Sequence, residues 1–588
     1  MSPLSGAPRG VEVFGFPQSE QPAIRTTVPA PVRIVFKALH LTAAELVQWP
    51  LLWGVAFAVP LALVGFVLVR LELHRRLRQW EMPLLQAAAL GLIGTFVAAA
   101  TIYLFSASFD DHVEPLVAVN AWRFWQGEPI YHALETQQRH TTPYGPYLYM
   151  LHALAQAALG PSTLSSKLMS VLASVGSLIF LYAAIARATS RSNGLLFTGL
   201  AAALSLPFEH VAFWNRTDPF LIFGVTVALF AATHRGLAAA TAFGAAVGIA
   251  IGMKTHGGFY FIAAAVLAWR NGWRTREVMI AAVTAVAFAV LPFAVFPHVS
   301  FQNFLFSVNL AASYSVTAPE SLRCLAWLIT LFIPAVAPAL LAIGTNRAAA
   351  PPADLRSWAF LAAILVSSIP VLVPAAQMGS GPHHFLPFIP LLMFFAAEQT
   401  HRRGAIAWRS IAGMVFAQSM RYSWLLSCAL VALWMSYARA EHSFRTRERF
   451  LAYTRDVRDA LAAHPDKTLL MAVGGDAEYW HAAVRHELVF AGMTPGVDPL
   501  TAMDFKGRGL PEPSLKQLRD ELSAKRGKPL LWLIPRGAEP FTLRTWYAPY
   551  DRLFSDAFRA EFALMFEHTG ALKAFDLYTP RHGGATSE

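Results

Sequence analysis

The sequence predicts a mainly α-helical, polytopic membrane protein of about twelve transmembrane helices, followed by a C-terminal soluble α/β domain. Three observations carry this reading. Of the 588 residues 55% are apolar and only 14% charged, too hydrophobic a balance for one soluble domain of this length. Apolar runs separated by short polar loops recur from Pro50 to Tyr437. Past Glu441 the composition changes abruptly: residues 441–588 carry 20 Lys/Arg and 20 Asp/Glu, while residues 1–440 carry 27 and 16, so the whole net charge of +11 lies in the apolar part. A basic excess there marks cytoplasmic loops first and anionic lipid or substrate second. It gives no reason to invoke nucleic acid. Cys324 and Cys428 lie far apart, in or beside apolar runs, which excludes a disulfide framework and a cysteine-based metal motif.

Residues 1–49 are Pro-rich and expected to be mobile, and the first apolar run is too long for the core of a cleavable signal peptide. The membrane part is expected over 50–440. Leu51–Val69 crosses to a basic cluster, RLELHRRLRQ, read as cytoplasmic, and Met82–Phe105 returns to deliver an acidic loop to the external face. Tyr147–Leu159 is too short to cross and is read as interfacial or re-entrant. The later spans are Lys167–Ala186, Leu195–Pro207, Phe220–Ala232, Leu237–Gly252, Phe259–Trp269, Val278–Phe296, Leu322–Ile343, Trp358–Val373, Phe385–Ala397 and Tyr422–Tyr437. Their charge pattern leaves RNGWRTRE and HRRG in the cytoplasm and both termini outside. Residues 441–588 read as an external accessory domain, with helices at Thr446–Ala463, Ala477–Phe490 and Ser514–Ala524, strands at Thr468–Val473 and Pro529–Ile534, and strand-like alternation over Phe562–Tyr578.

The first external loop, residues 106–164, begins SASFDDHVEPLVAVNAWRFWQGEPIY and brings Asp110, Asp111 and Glu114 together where acidic residues are otherwise scarce. Asp111 and Glu114 have capping-box spacing for a helix running to Gln126, with Gly127 as its terminator. That explanation leaves Asp110 without a structural role. A carboxylate at the lip of such an interfacial helix is partly desolvated, and its raised pKa would suit a general base. Asp218, in NRTDPF, reads either as a helix start before Pro219 or as a second acidic group facing the first, with Arg216 beside it as a partner or a phosphate ligand. Lys254 and His256, in GMKTHGG, read either as boundary residues or, with glycines on both sides, as a place where a lipid-linked phosphate can approach the backbone. His383 and His384 are adjacent, so they make a poor metal clamp and a better anion-orienting pair. Arg323 completes the cations expected on this face. Tyr144 and Tyr147, with Tyr149, Trp122 and Trp125, read as an interfacial aromatic belt or as a sugar-stacking platform.

The acidic pair after an early span, the amphipathic helix ending in GEPIY, then YGPYLY and GPSTLSSKL, resemble the first external loop of class C (GT-C) glycosyltransferases. These are polytopic enzymes that use polyprenyl-phosphate-linked sugars, similar to the aminoarabinose and mannosyl transferases and to the RgtA/B/C/D-like group. NRTDPF resembles that family's second external acidic position, GMKTHGG its lysine-containing span end and HHFLP its late external loop, over about residues 82–440. The resemblance implies a catalytic base among Asp110, Asp111 and Glu114, because DDHVEP departs from the family's usual Asp-Glu followed by aromatics. It also implies a polyprenyl-phosphate sugar donor, a glycan or lipid acceptor and contact with membrane lipids. No cofactor is implied with certainty, and a divalent cation stays open. The expectation is an inverting transferase of the inner membrane, with its active site on the periplasmic side. The alternative is a multi-pass transporter or lipid flippase, which would need mid-membrane polar residues and repeated halves.

Overall fold

The computed structural model describes residues 81–111, 113–133, 144–206, 208, 211–312, 314–345, 355–403, 448, 450–475, 484–494, 496–545 and 551–581. All of them fall in one compact unit, residues 48–588. The expected N-terminal segment, the first span Leu51–Val69 with its basic cluster and the last span Tyr422–Tyr437 lie outside the described residues.

The membrane part is a helical array. It begins with α1 (Glu81–Phe105), α2 (Val113–Trp125), α3 (Pro146–Leu159), α4 (Thr163–Ala188) and α5 (Arg191–Ser205). It continues with α6 (Asp218–Ala232), α7 (Leu237–Ile251), α8 (Ile262–Arg270), α9 (Thr275–Val295), α10 (Phe301–Ala311), α11 (Ala318–Thr345), α12 (Leu355–Ala375) and α13 (Phe388–Arg403). Local chemistry sets several boundaries. Ser162 and Ser165 form a reciprocal capping box at the start of α4, and Ser190 caps α5 through the Asn193 N–H. α2 ends where Gly127 takes φ +81°, and the Glu128 N–H reaches back to the Arg123 carbonyl at 2.9 Å. That wrap, closed by a left-handed glycine, is how a helix satisfies its last carbonyls.

Among the described residues four helical stretches are long and apolar enough to cross a bilayer: Pro83–Phe105, Thr163–Ala188, Thr275–Val295 and Trp358–Ala375. Asp218–Ala232, Leu237–Ile251 and Gly257–Arg270 are apolar but shorter, so length alone does not yield the about twelve crossings expected from the sequence. α9 makes the case for a membrane most directly. Val278, Val283, Val286 and Val295 are all more than half exposed, a bare valine surface that water would penalise and lipid would accept. α3 has 14 residues, a length of roughly 21 Å, and one side of it is buried through Tyr149, His152, Ala153 and Gln156.

α7 and α9 approach closely because α7 presents glycine. A Cβ built on Gly244 would lie 2.3 Å from the Ala281 carbonyl oxygen, and one on Gly248 2.3 Å from that of Ala285. Small residues four apart on one helix face let two backbones meet, and here they hold α9 against α7 while its other side stays bare.

The C-terminal part is an α/β unit with a four-stranded sheet in the order β1-β2-β4-β3, built from β1 (Thr468–Met471), β2 (Leu530–Pro535), β3 (Phe566–Ala571) and β4 (Phe575–Pro580). β1 and β2 are parallel, and β4 is antiparallel to both β2 and β3. β1 and β2 are buried at every position, as expected of strands covered on both faces. On one face Trp532 packs against Phe541, Phe562 and Phe566, and on the other Leu469, Leu531 and Leu533 pack against Phe450 and Val457 of the helical residues 450–463. Three helices connect or cover these strands: α14 (His486–Phe490), α15 (Pro499–Gly507) and α16 (Leu515–Arg526). The single alternation read over Phe562–Tyr578 needs correction. Ser555 caps a helix, α17 (Asp556–Met565), which runs directly into the β3–β4 hairpin, so the apolar residues of that stretch belong to three elements with two different periods.

Gly248→Val is expected to lower the thermal stability of the detergent-solubilised protein by about 1–3 kcal/mol, because the added atoms meet backbone rather than a yielding side chain. Gly91→Ala, where a Cβ meets nothing within 4 Å, serves as the neutral control in the same melting experiment. Equal melting of the two variants would show that the α7–α9 approach is not close in solution.

Candidate active site

Between α1 and α2 the chain makes a tight turn whose conformation is set by a buried acid. Glu114 has no exposed surface. Its Oε2 accepts the N–H groups of Asp110 (2.6 Å) and Asp111 (2.9 Å), and its Oε1 accepts the Asn215 N–H (3.0 Å) and the Tyr103 hydroxyl. The Asn215 side-chain amide donates to the Glu114 carbonyl at 3.1 Å, tying α2 to the segment before α6. Lys167 of α4, equally buried, donates through Nζ to the carbonyls of Tyr103 (3.0 Å), Ser106 (3.0 Å) and Ser108 (2.6 Å). Carboxylate and ammonium thus hold the same turn from opposite sides. Burial pushes the Glu114 carboxyl up to about 7, while the charge of Lys167 and the Tyr103 hydrogen bond pull it down. The capping-box spacing is half realised: Glu114 reaches back to the N–H groups that precede the helix, as a box requires. Asp111 is engaged elsewhere.

That engagement is an ion pair with Arg216, Oδ2 to Nη1 at 3.0 Å, with both side chains nearly buried. The other arm of Arg216, Nη2, donates to the Tyr144 hydroxyl at 3.2 Å. Two residues on, Asp218 opens α6, but its carboxylate makes no cap. Its Oδ1 pairs with Lys254 Nζ at 3.0 Å, and its Oδ2 has no hydrogen-bond partner. A backbone contact brings these residues together, since the Gly145 N–H donates to the Met253 carbonyl at 2.8 Å. A Cβ on Gly145 would lie 2.1 Å from the Gly252 carbonyl oxygen, so only glycine lets the Tyr144 segment lie beside Lys254.

Arg216, Lys254, Tyr144, His256, His383 and His384 all face one cavity of about 370 Å³. Val113, Leu116 and Val117 of α2 form an apolar wall, and Leu500, Met503 and Asp504 of α15 contribute from the C-terminal part. A hydrogen bond from the Tyr314 hydroxyl to Asp504 fastens that side. The His256 and His384 rings stack at 5.1 Å, with His383 4.8 Å from His384. Burial holds the His256 and His383 imidazoles down to about 3 and His384 well below its ordinary value, so they face the cavity as neutral rings and not as the cations expected of them. The positive charge in the cavity comes from Arg216 and Lys254. Burial lowers the Lys254 ammonium, and the Asp218 carboxylate beside it works in the opposite direction.

None of the four carboxylates picked out in the sequence lines this cavity, Asp111 and Asp218 being tied to it through Arg216 and Lys254, and Arg323 and Tyr147 stand apart from it. Arg323 is more than a third exposed, pairs with Glu320 at 3.3 Å one turn away and does not line it. Tyr147 spends its hydroxyl on the Phe288 carbonyl at 2.6 Å and packs over Gly252, a structural use. Asp110 is half-buried at the tip of the turn, with its N–H on Glu114. The sequence reading missed Tyr103, Lys167 and Asn215. A lysine inside an apolar span was the available signal for Lys167. Among the described residues no three His, Cys, Asp or Glu side chains converge in a way that could hold a metal ion.

Glu114→Ala leaves the Lys167 ammonium buried without its counter-charge and strips four donors of their acceptor, so a loss of about 3–5 kcal/mol is expected in thermal denaturation. Glu114→Gln, which keeps the shape and one acceptor oxygen, is expected to lose less. A Glu114→Ala protein that melts with the parent would remove the buried pair from the account of the turn. Because the three imidazoles stay neutral, activity should show no inflection from them between about pH 5 and 8. A His383→Gln profile parallel to the parent's checks this, and the loss of an inflection in that variant would contradict it.

No protein-family model and no curated protein sequence matches the chain. Solved structures do. The chain aligns with ArnT from Cupriavidus metallidurans bound to undecaprenyl phosphate at 14% identity and a TM-score of 0.52, covering 85% of this chain and 99% of that one. The apo state of the same protein aligns at 14% identity and a TM-score of 0.52, covering 84% and 98%. At this identity the likeness establishes architecture, and its extent takes in both the helical array and the C-terminal α/β part. The chain has the GT-C fold of the membrane glycosyltransferases.

Proposed function

We propose that the protein is an integral membrane, inverting glycosyltransferase that moves a sugar from a polyprenyl-phosphate carrier to a cell-envelope acceptor on the periplasmic face of the inner membrane. The observation that carries this reading is the convergence of Arg216 and Lys254, each paired with a carboxylate (Asp111 and Asp218), on one cavity walled by apolar residues. The ArnT structure holding undecaprenyl phosphate supports the donor class, a long apolar chain ending in a phosphate. A cavity with two cations and an apolar wall fits such a head and tail.

The reaction asks for little from the protein. A polyprenyl phosphate is a good leaving group, so an acceptor hydroxyl must be deprotonated and the departing phosphate neutralised. As the acceptor oxygen attacks the anomeric carbon, the bond from that carbon to the phosphate oxygen breaks. The electron pair leaves with the phosphate, and the proton goes to Asp111. Arg216 and Lys254 receive the phosphate, and as Arg216 shifts toward it the Asp111 carboxylate is released to act as base. Glu114 is saturated with donors and acts as a positioning residue for the Asp110–Asp111 turn.

Sidedness follows from charge. Lys254 and His256 stand before α8, whereas Arg270, Arg274 and Arg276 lie at its far end, where the positive-inside rule favours the cytoplasm. The cavity is then external, and residues 441–588 act as an external domain that closes it from above through α15 and helps hold the acceptor.

In reconstituted membranes supplied with a polyprenyl-phosphate sugar and cell-envelope acceptor lipids, Asp111→Asn is expected to slow transfer by about 10²–10⁴-fold, with Asp110→Asn affected less. Lys254→Met is expected to raise the KM for the donor more than it lowers kcat. Transfer by Asp111→Asn at the parental rate would sink the assignment, and undiminished transfer by both aspartate variants would sink the mechanism.

A further inference from the structure

At the far end of α2 from the site above, a second cavity of about 410 Å³ opens between that helix and the C-terminal part. Trp122, Arg123 and Glu128 line it on one side, and Phe490, Lys525 and Arg526 on the other. Three cations face one carboxylate, and that carboxylate is already held by Arg123 through Nε (2.7 Å) and Nη2 (2.6 Å). Arg123 is only 8% exposed, yet its remaining nitrogen, Nη1, has no hydrogen-bond partner. Nε of Arg526 is likewise buried without a partner. Lys525 and Arg526 occupy the last turn of α16, where basic side chains ordinarily complement the terminal carbonyls. That accounts for their place on the helix. It does not account for a buried arginine from α2 facing the same space with an N–H to spare, since a buried donor without an acceptor is costly. The neighbouring His132 imidazole is held down to about 4, by burial first and by the positive field of Arg123 second. Trp122 and Phe490 meet edge to face at 6.4 Å, giving the cavity an aromatic wall.

We propose that this seam binds an anionic saccharide carrying phosphate or carboxylate, its charge on Arg123, Lys525 and Arg526 and its sugar ring against Trp122 and Phe490. Guanidinium groups suit both anions through paired hydrogen bonds, and an aromatic face packs well on the C–H face of a sugar. The choice of a saccharide rests on the transferase reading. The anion preference rests on the seam itself. Leu116 of the first cavity and Arg123 of the second are separated along α2 by about 10 Å at the helical rise of 1.5 Å per residue. An acceptor anchored here by its anionic group therefore has its reacting hydroxyl about that far away. The source can be a soluble acidic glycan or a glycolipid headgroup.

The test is equilibrium binding to the purified full-length protein in nanodiscs of neutral lipid, with glucose 6-phosphate, glucose and inorganic phosphate as probes. Glucose 6-phosphate is expected to bind with a Kd of about 1 mM, and glucose and phosphate at least about tenfold more weakly. The double variant Lys525→Gln, Arg526→Gln should weaken glucose 6-phosphate about tenfold with little change in melting temperature, because the changes fall on exposed or half-exposed positions and place no negative charge at the end of α16. The proposal is overturned if no probe binds up to ~10 mM, if glucose or phosphate binds as well as the sugar phosphate, or if the double variant binds like the parent. Competition by nanodiscs containing phosphatidylglycerol would also overturn it, in favour of a plain acidic-lipid contact. Competition by an acidic glycolipid, without competition by phosphatidylglycerol, supports the headgroup source, and its absence supports a soluble glycan. None of these readouts depends on sugar transfer, so this inference and the transferase reading fail separately.

Discussion

The burial of Glu114 and Lys167 against the two sides of one turn is the constraint on which the rest of the site depends. Neither charge is solvated, so each must be satisfied by protein groups, and the groups at hand are the amides and carbonyls of one turn. Between them they take two N–H groups and three carbonyls of residues 103–111 and leave that segment little freedom. The pair also joins α1, α2, α4 and the segment before α6 at one point, through Tyr103, Glu114, Lys167 and Asn215.

Around that knot the charges sort by exposure. Glu114 and Lys167 are sealed in. Asp111 with Arg216 and Asp218 with Lys254 form a second layer, buried or nearly so, in which the two cations line the cavity. The histidines form a neutral margin that can give or take a hydrogen bond without adding charge. α2 is shared by both cavities, its first turns lining one and its last turns the other.

Much of the fold was legible. Composition and the change past Glu441 indicated a helical membrane part followed by an α/β unit, and the strands near Thr468 and Leu530 lie where apolar runs bounded by turn signals put them. The terminator Gly127 was readable too, because a cap is a contact between neighbours in sequence, whereas the N-caps read at Asp111 and Asp218 are not made, since both carboxylates pair with cations distant in sequence. The strand-like alternation read over Phe562–Tyr578 is strand from Phe566 on, but its first four residues end α17, because alternation over a few residues cannot distinguish the end of a helix from a strand when the two are fused without a loop. Of the site, Asp111, Arg216, Asp218, Lys254 and the histidines could be picked out as polar residues stranded between apolar runs. Their partners could not.

What the sequence determined by itself was the set of local preferences: where helices start and stop, which runs are apolar enough for lipid, and which loops carry charge. These depend on interactions a few residues apart. Only the tertiary structure decided that Glu114 is a buried fastener and Asp111 the partner of Arg216, although three positions separate them. It also decided that Lys167 holds the same turn as the first of these, that Arg323 stands outside and that α15 of the C-terminal part borders the cavity. The roles of charged groups depend on burial and on partners brought from distant parts of the chain. Both are properties of how the helices pack, and neither is written in the spacing of the residues.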